Sequence, residues 1–125
     1  MLFCKKNEME SKELLNSIVD LMDNKKSEDI TVINVGDVSN LTEYLVLCCG
    51  NSNIHIKTIS KWLRFKIKEI YGIYPLSIDG NYPLSDWIVM DFNDVIVHIM
   101  SREKRDMYKI EEFWNKEIRN ILINN

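Results

Sequence analysis

Apolar positions recur along this chain in two periods, and the alternation between them divides it into elements. In SKELLNSIVDLMDNKK (11–26), Leu14, Leu15, Ile18, Val19 and Met22 fall on one stripe at spacings of three and four, which predicts a helix. Ser11 is placed as its N-cap, and Asn24 with two lysines marks its end. DITVINVGDVS (29–39) is short and β-branched, while EYLVLCCG (43–50) is a near-continuous apolar run stopped by Gly50, the pattern of a strand covered on both faces. The helical period returns over 51–72. Ile56, Ile59, Leu63, Ile67 and Ile70 make the apolar stripe, Lys57, Lys61, Arg64, Lys66 and Lys68 lie largely off it, and Gly72 closes the helix. Trp62, Phe65 and Tyr71 lie on or beside that apolar face and are read as core.

Pro75 breaks the chain before a short strand, LSID (76–79), and the order strand, helix, strand implies a right-handed parallel crossover. NYPLSD (81–86) reads as a loop. DWIVMDFNDVIVHIM (86–100) reads as two antiparallel strands joined by Asn93-Asp94, the kind of two-residue connection a tight hairpin with positive φ favours. SREKRDMY (101–108) mixes charges of both signs and is taken as a solvated turn. In the last segment, Ile110, Phe113, Trp114, Glu117, Ile118 and Ile121 recur at helical spacing. The predicted order is αββαβββα: an α/β fold with a mixed five-stranded sheet and packed helices, one domain over 1–125, with residues 1–9 a loosely ordered N-terminus.

Composition narrows the partners. With 125 residues, 46% hydrophobic and 28% charged, the chain can bury a core without disulfide or metal staples. Its net charge of -3 and lack of a long basic run argue against DNA or RNA phosphates as the main partner, and a basic protein fits better. Three cysteines, two of them adjacent in an apolar run, make no disulfide framework and suit a reducing cytosol. Cys48 and Cys49 point to opposite faces of a strand, so they cannot jointly grip a metal and are read as small buried hydrophobes. Neither a signal-type apolar region nor a membrane-length run occurs, and a cytoplasmic protein without a membrane partner is expected.

The candidate chemistry is sparse. CCGNSN (48–53) has the layout in which nucleotidyltransferases hold a phosphate against helix N-terminal amides, with Gly50 and Ser52 as the turn and Asp79 on the following strand. Those enzymes need a second carboxylate at i+2 for a metal pair, and position 81 is Asn. A strand-to-helix turn with Ser52 as N-cap is the simpler reading. Asp91, Asp94 and His98 can be drawn as metal ligands, but both aspartates flank a hairpin turn where Asp bonds the local backbone. His98 is open to two readings, a general base or a satisfied structural histidine, and a lone His is more often the second. His55 is assigned no role. Trp87 opens its strand beside a polar loop, where an aromatic either seals the sheet or protrudes as an interface anchor. No P-loop, hydrolase-elbow or zincin motif is present, and neither cofactor nor metal is expected.

Taken together, LTEYLVLCCGNSNIH, SIDGNY, DWIVMDFNDVIVHIM and REKRDMYKIEEFW resemble the ribosomal silencing factor family, also called RsfS or Iojap. The resemblance rests on Gly50 and Ser52, Asp79-Gly80, Trp87, Asp91, Val97-His98, and Arg105 with Tyr108, Ile110 and Glu111, and covers positions 29–114. Asp79 stands where the family usually has Glu, and Glu43-Tyr44 where it usually has Asp-Tyr. The resemblance implies a nucleotidyltransferase-like fold without the catalytic carboxylates and no enzymatic activity. It also implies binding to the large ribosomal subunit through ribosomal protein L-fourteen, which blocks association with the small subunit and represses translation. A homodimer off the ribosome is compatible with it, and direct DNA binding is not expected. On this reading Trp87, Phe92 and Met100 are apolar anchors, and Asp91, Asp94 and Arg102 a charged rim. The alternative is a nucleotide-binding or nucleotidyl-transferring enzyme using Gly50, Ser52 and Asp79.

Overall fold

The hydrophobic periods settle into nine elements in a computed structural model that describes residues 8–124. They are α1 (Glu8–Asn24), β1 (Glu28–Asn34), β2 (Tyr44–Cys49), α2 (Asn53–Tyr71), β3 (Ser77–Asp79), β4 (Trp87–Asp91), β5 (Val95–Met100), α3 (Arg102–Tyr108) and α4 (Ile110–Asn124). The expectation of a loose N-terminus falls outside the described residues for 1–7, as does Cys4, and α1 already begins at Glu8. Ser11 therefore lies inside the helix rather than capping it, buried with its hydroxyl donated to Asp94 Oδ2 at 3.1 Å.

The five strands form one mixed sheet in the order β1-β2-β5-β4-β3. β2 and β5 pair in parallel, and every other neighbouring pair is antiparallel. β3 accordingly runs parallel to β2, as the crossover pattern predicts, with β5 and β4 inserted between them. Every residue of β2 is buried, because this interior strand has helices over both its faces. Tyr44, Val46 and Cys48 face α1 and α2, whereas Leu45 and Leu47 face α4. Burial pushes the Cys48 thiol up to about 12, so it stays a neutral apolar group.

Helix α2 begins with Ser52 accepting the His55 amide at 3.0 Å and ends at Gly72 in the left-handed region, φ 72°. Its Ile56, Ile59, Leu63 and Ile67 are buried as the stripe requires, but Ile70 and Phe65 are exposed. Phe65 lies some 160–180° around the helix from Ile56 and Ile67 at 100° per residue, so it faces solvent rather than the core. His55 has more work than the sequence suggests. Its Nδ1 accepts the Asn51 amide at 2.9 Å, which leaves Nε2–H to donate to the Lys25 carbonyl at 2.7 Å and ties the end of α1 to the start of α2.

The one element the sequence pattern mistakes is α3, expected as a solvated turn. Ser101 caps it by accepting the Lys104 amide at 3.1 Å, and Lys109, in the left-handed region, separates it from α4. Beyond that break Ile110, Trp114 and Ile118 pack against Ile33, Val35, Leu45 and Leu47, while Phe113 from the expected stripe is exposed. Among the described residues no helix is long and apolar enough to cross a membrane.

Candidate functional site

The two faces of the sheet are covered unequally. α1 and α2 blanket one face, where Ile88, Met90, Val95, Val97 and Ile99 are buried against them. On the other face α4 lies over β1 and β2, and α3 meets the end of the β4-β5 hairpin at Trp87. Strand alternation brings Trp87, Val89 and Asp91 of β4 to this half-face, opposite Met100, His98 and Ile96 of β5. All but Met100 are half-buried. A sheet face that mixes aromatic, aliphatic and charged side chains at partial exposure is suited to a partner protein.

Trp87 takes the first of its two expected roles and seals this end of the sheet. Its indole N–H donates to His98 Nδ1 at 3.0 Å, and its ring lies 4.8 Å from that of Tyr108 on α3. Tyr108 is half exposed, and the adjoining β3–β4 loop leaves Tyr82 and Leu84 exposed by 61% and 80%. The loop is held to the strand by Gly80. This residue sits at φ 82°, and a Cβ there would stand 2.2 Å from the Trp87 carbonyl oxygen, so only glycine fits. Accepting the indole proton fixes His98 as the satisfied histidine, and burial pushes its pKa down to about 4, so the ring is neutral at pH 7.

Two of the expected anchors are overturned. Phe92 is 2% exposed and Met100 is 0% exposed, and both are core residues. Phe92 follows the last residue of β4 and turns into the layer beneath α1 and α2, and Met100 lies in the α4-side cluster with Trp87 packed against it. The six residues also do not converge. Trp87, Met100 and Arg102 lie at one end of the β4–β5 hairpin and Asp91, Phe92 and Asp94 at the other, about 14 Å away at ~3.4 Å per strand residue. Asp91 accepts the Asn93 amide at 2.8 Å, the turn chemistry expected, and Asn93 has the positive φ of 76°. Arg102 is paired with Asp29, whose carboxyl is held below the usual carboxylate range by that guanidinium.

Sequence reasoning underrated Arg105. Although it falls in a segment read as a solvated turn, its side chain is buried and forks onto Glu111 Oε1 and Oε2 at 2.9 and 2.8 Å. It also donates to Thr31 Oγ1 at 2.7 Å, the Asp29 carbonyl and, at 3.7 Å, Cys49 Sγ. The cluster ties α3 and α4 to β1 and β2, which explains the R-x-x-Y-x-I-E spacing structurally: Arg105 pairs with Glu111, and Tyr108 between them meets Trp87.

The phosphate-site arrangement does not assemble. A Cβ on Gly50 would fall 2.7 Å from Ile56, so this glycine serves close strand–helix packing, and the Ser52 hydroxyl is occupied as a cap. Three strand spacings of ~4.8 Å, about 14 Å, separate β2 from β3 and Asp79. Among the described residues no group of three His, Cys, Asp or Glu side chains is gathered as a metal site.

Comparison with known proteins gives a consistent picture. Residues 8–124 match the model of the family described as "Ribosomal silencing factor during starvation". The chain is 30% identical to the ribosomal silencing factor RsfS of Halalkalibacterium halodurans over 106 residues, 85% of this chain and 89% of that one. It is 28% identical to the mouse protein named "Mitochondrial assembly of ribosomal large subunit protein 1" over 80% of this chain and 44% of that longer protein. A crystal structure of a Chromobacterium violaceum protein superposes with a TM-score of 0.79 at 26% identity, covering 83% of this chain and 85% of that one.

Proposed function

The chain belongs to the ribosomal silencing factor family, and from that membership we propose that it represses translation by binding the large ribosomal subunit through ribosomal protein L-fourteen. Occupying that surface excludes the small subunit. The chain acts in the cytoplasm as a steric block and catalyses no reaction. The observation that carries this reading is the half-covered sheet face of Trp87, Val89, Asp91, Ile96 and His98, with Tyr82, Leu84 and Tyr108 at its edge. The large-subunit wording in the name of the mouse relative supports the choice of subunit. A net charge of -3 favours a basic protein partner by complementarity, an effect on encounter rate more than on final affinity. Of the six residues expected at the interface, Trp87 and Asp91 stay in the proposed contact, with Asp94 and Arg102 at its distant ends.

Val89 is the better residue with which to test this surface. Replacing Trp87 would strip the partners of His98 and Tyr108 and confound binding with folding, whereas Val89 lies mid-strand with its side chain half-buried on this face. Val89→Arg puts a desolvated charge at the centre of the contact. It is expected to weaken binding to purified L-fourteen by about 2 kcal/mol or more, some 30-fold, in a calorimetric titration. Unchanged affinity in a variant with a native circular dichroism spectrum would exclude this face.

A further inference from the structure

The proposed protein contact lies on one face of the sheet, and the outer surface of α2 lies beyond the opposite face with a different chemistry. α2 carries five of the chain's sixteen Lys and Arg and one of its nineteen Asp and Glu, a positive element in a net-negative protein. Lys57, Lys61, Arg64 and Lys68 follow one another at i, i+4, i+7 and i+11, a stripe about 16 Å long at ~1.5 Å per residue. The single acidic residue, Glu69, is engaged by Lys66 at 2.7 Å, and none of the four stripe cations has an acidic partner among the described residues. A solvated helix face ordinarily interleaves both signs, so this segregation calls for an external anion.

The aromatic groups beside the stripe point to the kind of anion. Phe65 is 60% exposed and Tyr74 55% exposed, and together with Lys61, Arg64, Lys68 and Glu69, the last paired with Lys66, they line a groove of about 580 Å³. Arg64 and Lys68 stand 5.1 and 5.0 Å from the Tyr74 ring centre, so the cations are held at the groove's edge rather than swept through solvent. Cations aligned to follow a backbone, with exposed rings between them on which bases can stack, are the features by which proteins bind single-stranded nucleic acid without reading its sequence. Resting on the proposal that the chain works on the ribosome, a surface rich in RNA, we infer that the outer face of α2 is a sequence-independent contact for the RNA sugar–phosphate backbone. The chain then holds protein on one side of its sheet and RNA on the other. The overall negative charge limits RNA to an accessory partner, as the composition requires.

The test uses the full chain and a fluorescein-labelled single-stranded RNA of mixed sequence, followed by fluorescence anisotropy across a salt series. With about three phosphates neutralised and a slope near 0.7 per phosphate, affinity should fall roughly 20-fold between about 50 and 200 mM salt. Lys61→Gln, Arg64→Gln and Lys68→Gln combined should weaken binding at least tenfold and reduce that salt effect to about threefold. Absence of RNA binding by the native protein at low salt, or an unaltered salt slope in the triple variant, would overturn the inference. So would polyglutamate binding as tightly as RNA with the same loss, which would assign the stripe to an acidic protein. Native protein that pellets with large subunits but ignores RNA refutes this inference alone. RNA binding that depends on the stripe without any pelleting supports it and refutes the ribosome reading.

Discussion

Arg105→Ala is expected to be strongly destabilising, costing about 3 kcal/mol, the lower end of the range for removing one partner of a buried ion pair because Glu111 keeps 30% of its side-chain surface in solvent. The reason is geometric. The guanidinium satisfies the Glu111 carboxylate, the Thr31 hydroxyl and the Asp29 carbonyl at once, and alanine leaves all three without their charged donor. The Asp29 carbonyl belongs to an irregular stretch of β1, where the register shifts between Glu28 and Thr31 and Asp29 itself has φ 47°. That bulge loses its brace in the variant. A thermal melt should show the midpoint lower by roughly 10–20 °C. Arg105→Lys keeps the charge but cannot reproduce a fork onto both carboxylate oxygens, and should fall between the two. A midpoint within about 2 °C of the native protein for Arg105→Ala would show that the cluster contributes little.

Acid should destabilise the fold in two stages, of which His98 sets the first. Its pKa is about 4 in the folded protein and ordinarily 6.5, because burial penalises the imidazolium. The unfolded chain therefore takes up a proton that the folded chain refuses. Stability is complete above pH 6.5, falls as the pH drops from 6.5 to 4, and stops changing on this account below that, a loss of about 3 kcal/mol. The second stage belongs to Glu111 and Asp29, held below 4.5 and 3.8 by the Arg105 and Arg102 guanidinium groups; their contributions are present above those values and disappear as the pH falls through the lowered ones. Denaturant unfolding at pH 7 and pH 5 measures the first stage separately from the second. His98→Asn offers an oxygen to the Trp87 indole but does not titrate in this range, so its stability should change far less between those two pH values. An equal loss in both proteins would remove His98 as the cause.

What the sequence made legible follows from period and turn chemistry. The stripe of Ile56, Ile59, Leu63 and Ile67, the unbroken apolar run of β2 and the Asn93 turn are local signals, and each produced the element expected of it. α3 was illegible because seven residues of mixed charge carry no apolar stripe; its order comes from the Ser101 cap and from Arg105 reaching partners more than 70 positions away. Strand alternation puts Trp87 with Asp91, and His98 with Ile96 and Met100, on common faces. It could not tell how far α4 and α3 extend across the sheet, and that extent decides that Met100 is fully buried while Val89 and Ile96 are half-buried. Phe92 was misjudged for a related reason. A residue at a hairpin turn looks exposed in sequence, yet α1 extends over this end of the sheet, where Ser11 reaches Asp94, and Phe92 is buried in the core.

The half-covered sheet face is proposed to keep the two ribosomal subunits apart. Light scattering of purified large and small subunits mixed at the magnesium concentration that supports their association reports this directly. Native protein incubated first with large subunits should suppress the rise in scattering in proportion to its occupancy, and Val89→Arg at the same concentration should leave the rise intact while melting within a few degrees of the native chain. Full association in the presence of saturating native protein, or equal suppression by Val89→Arg, would contradict the claim.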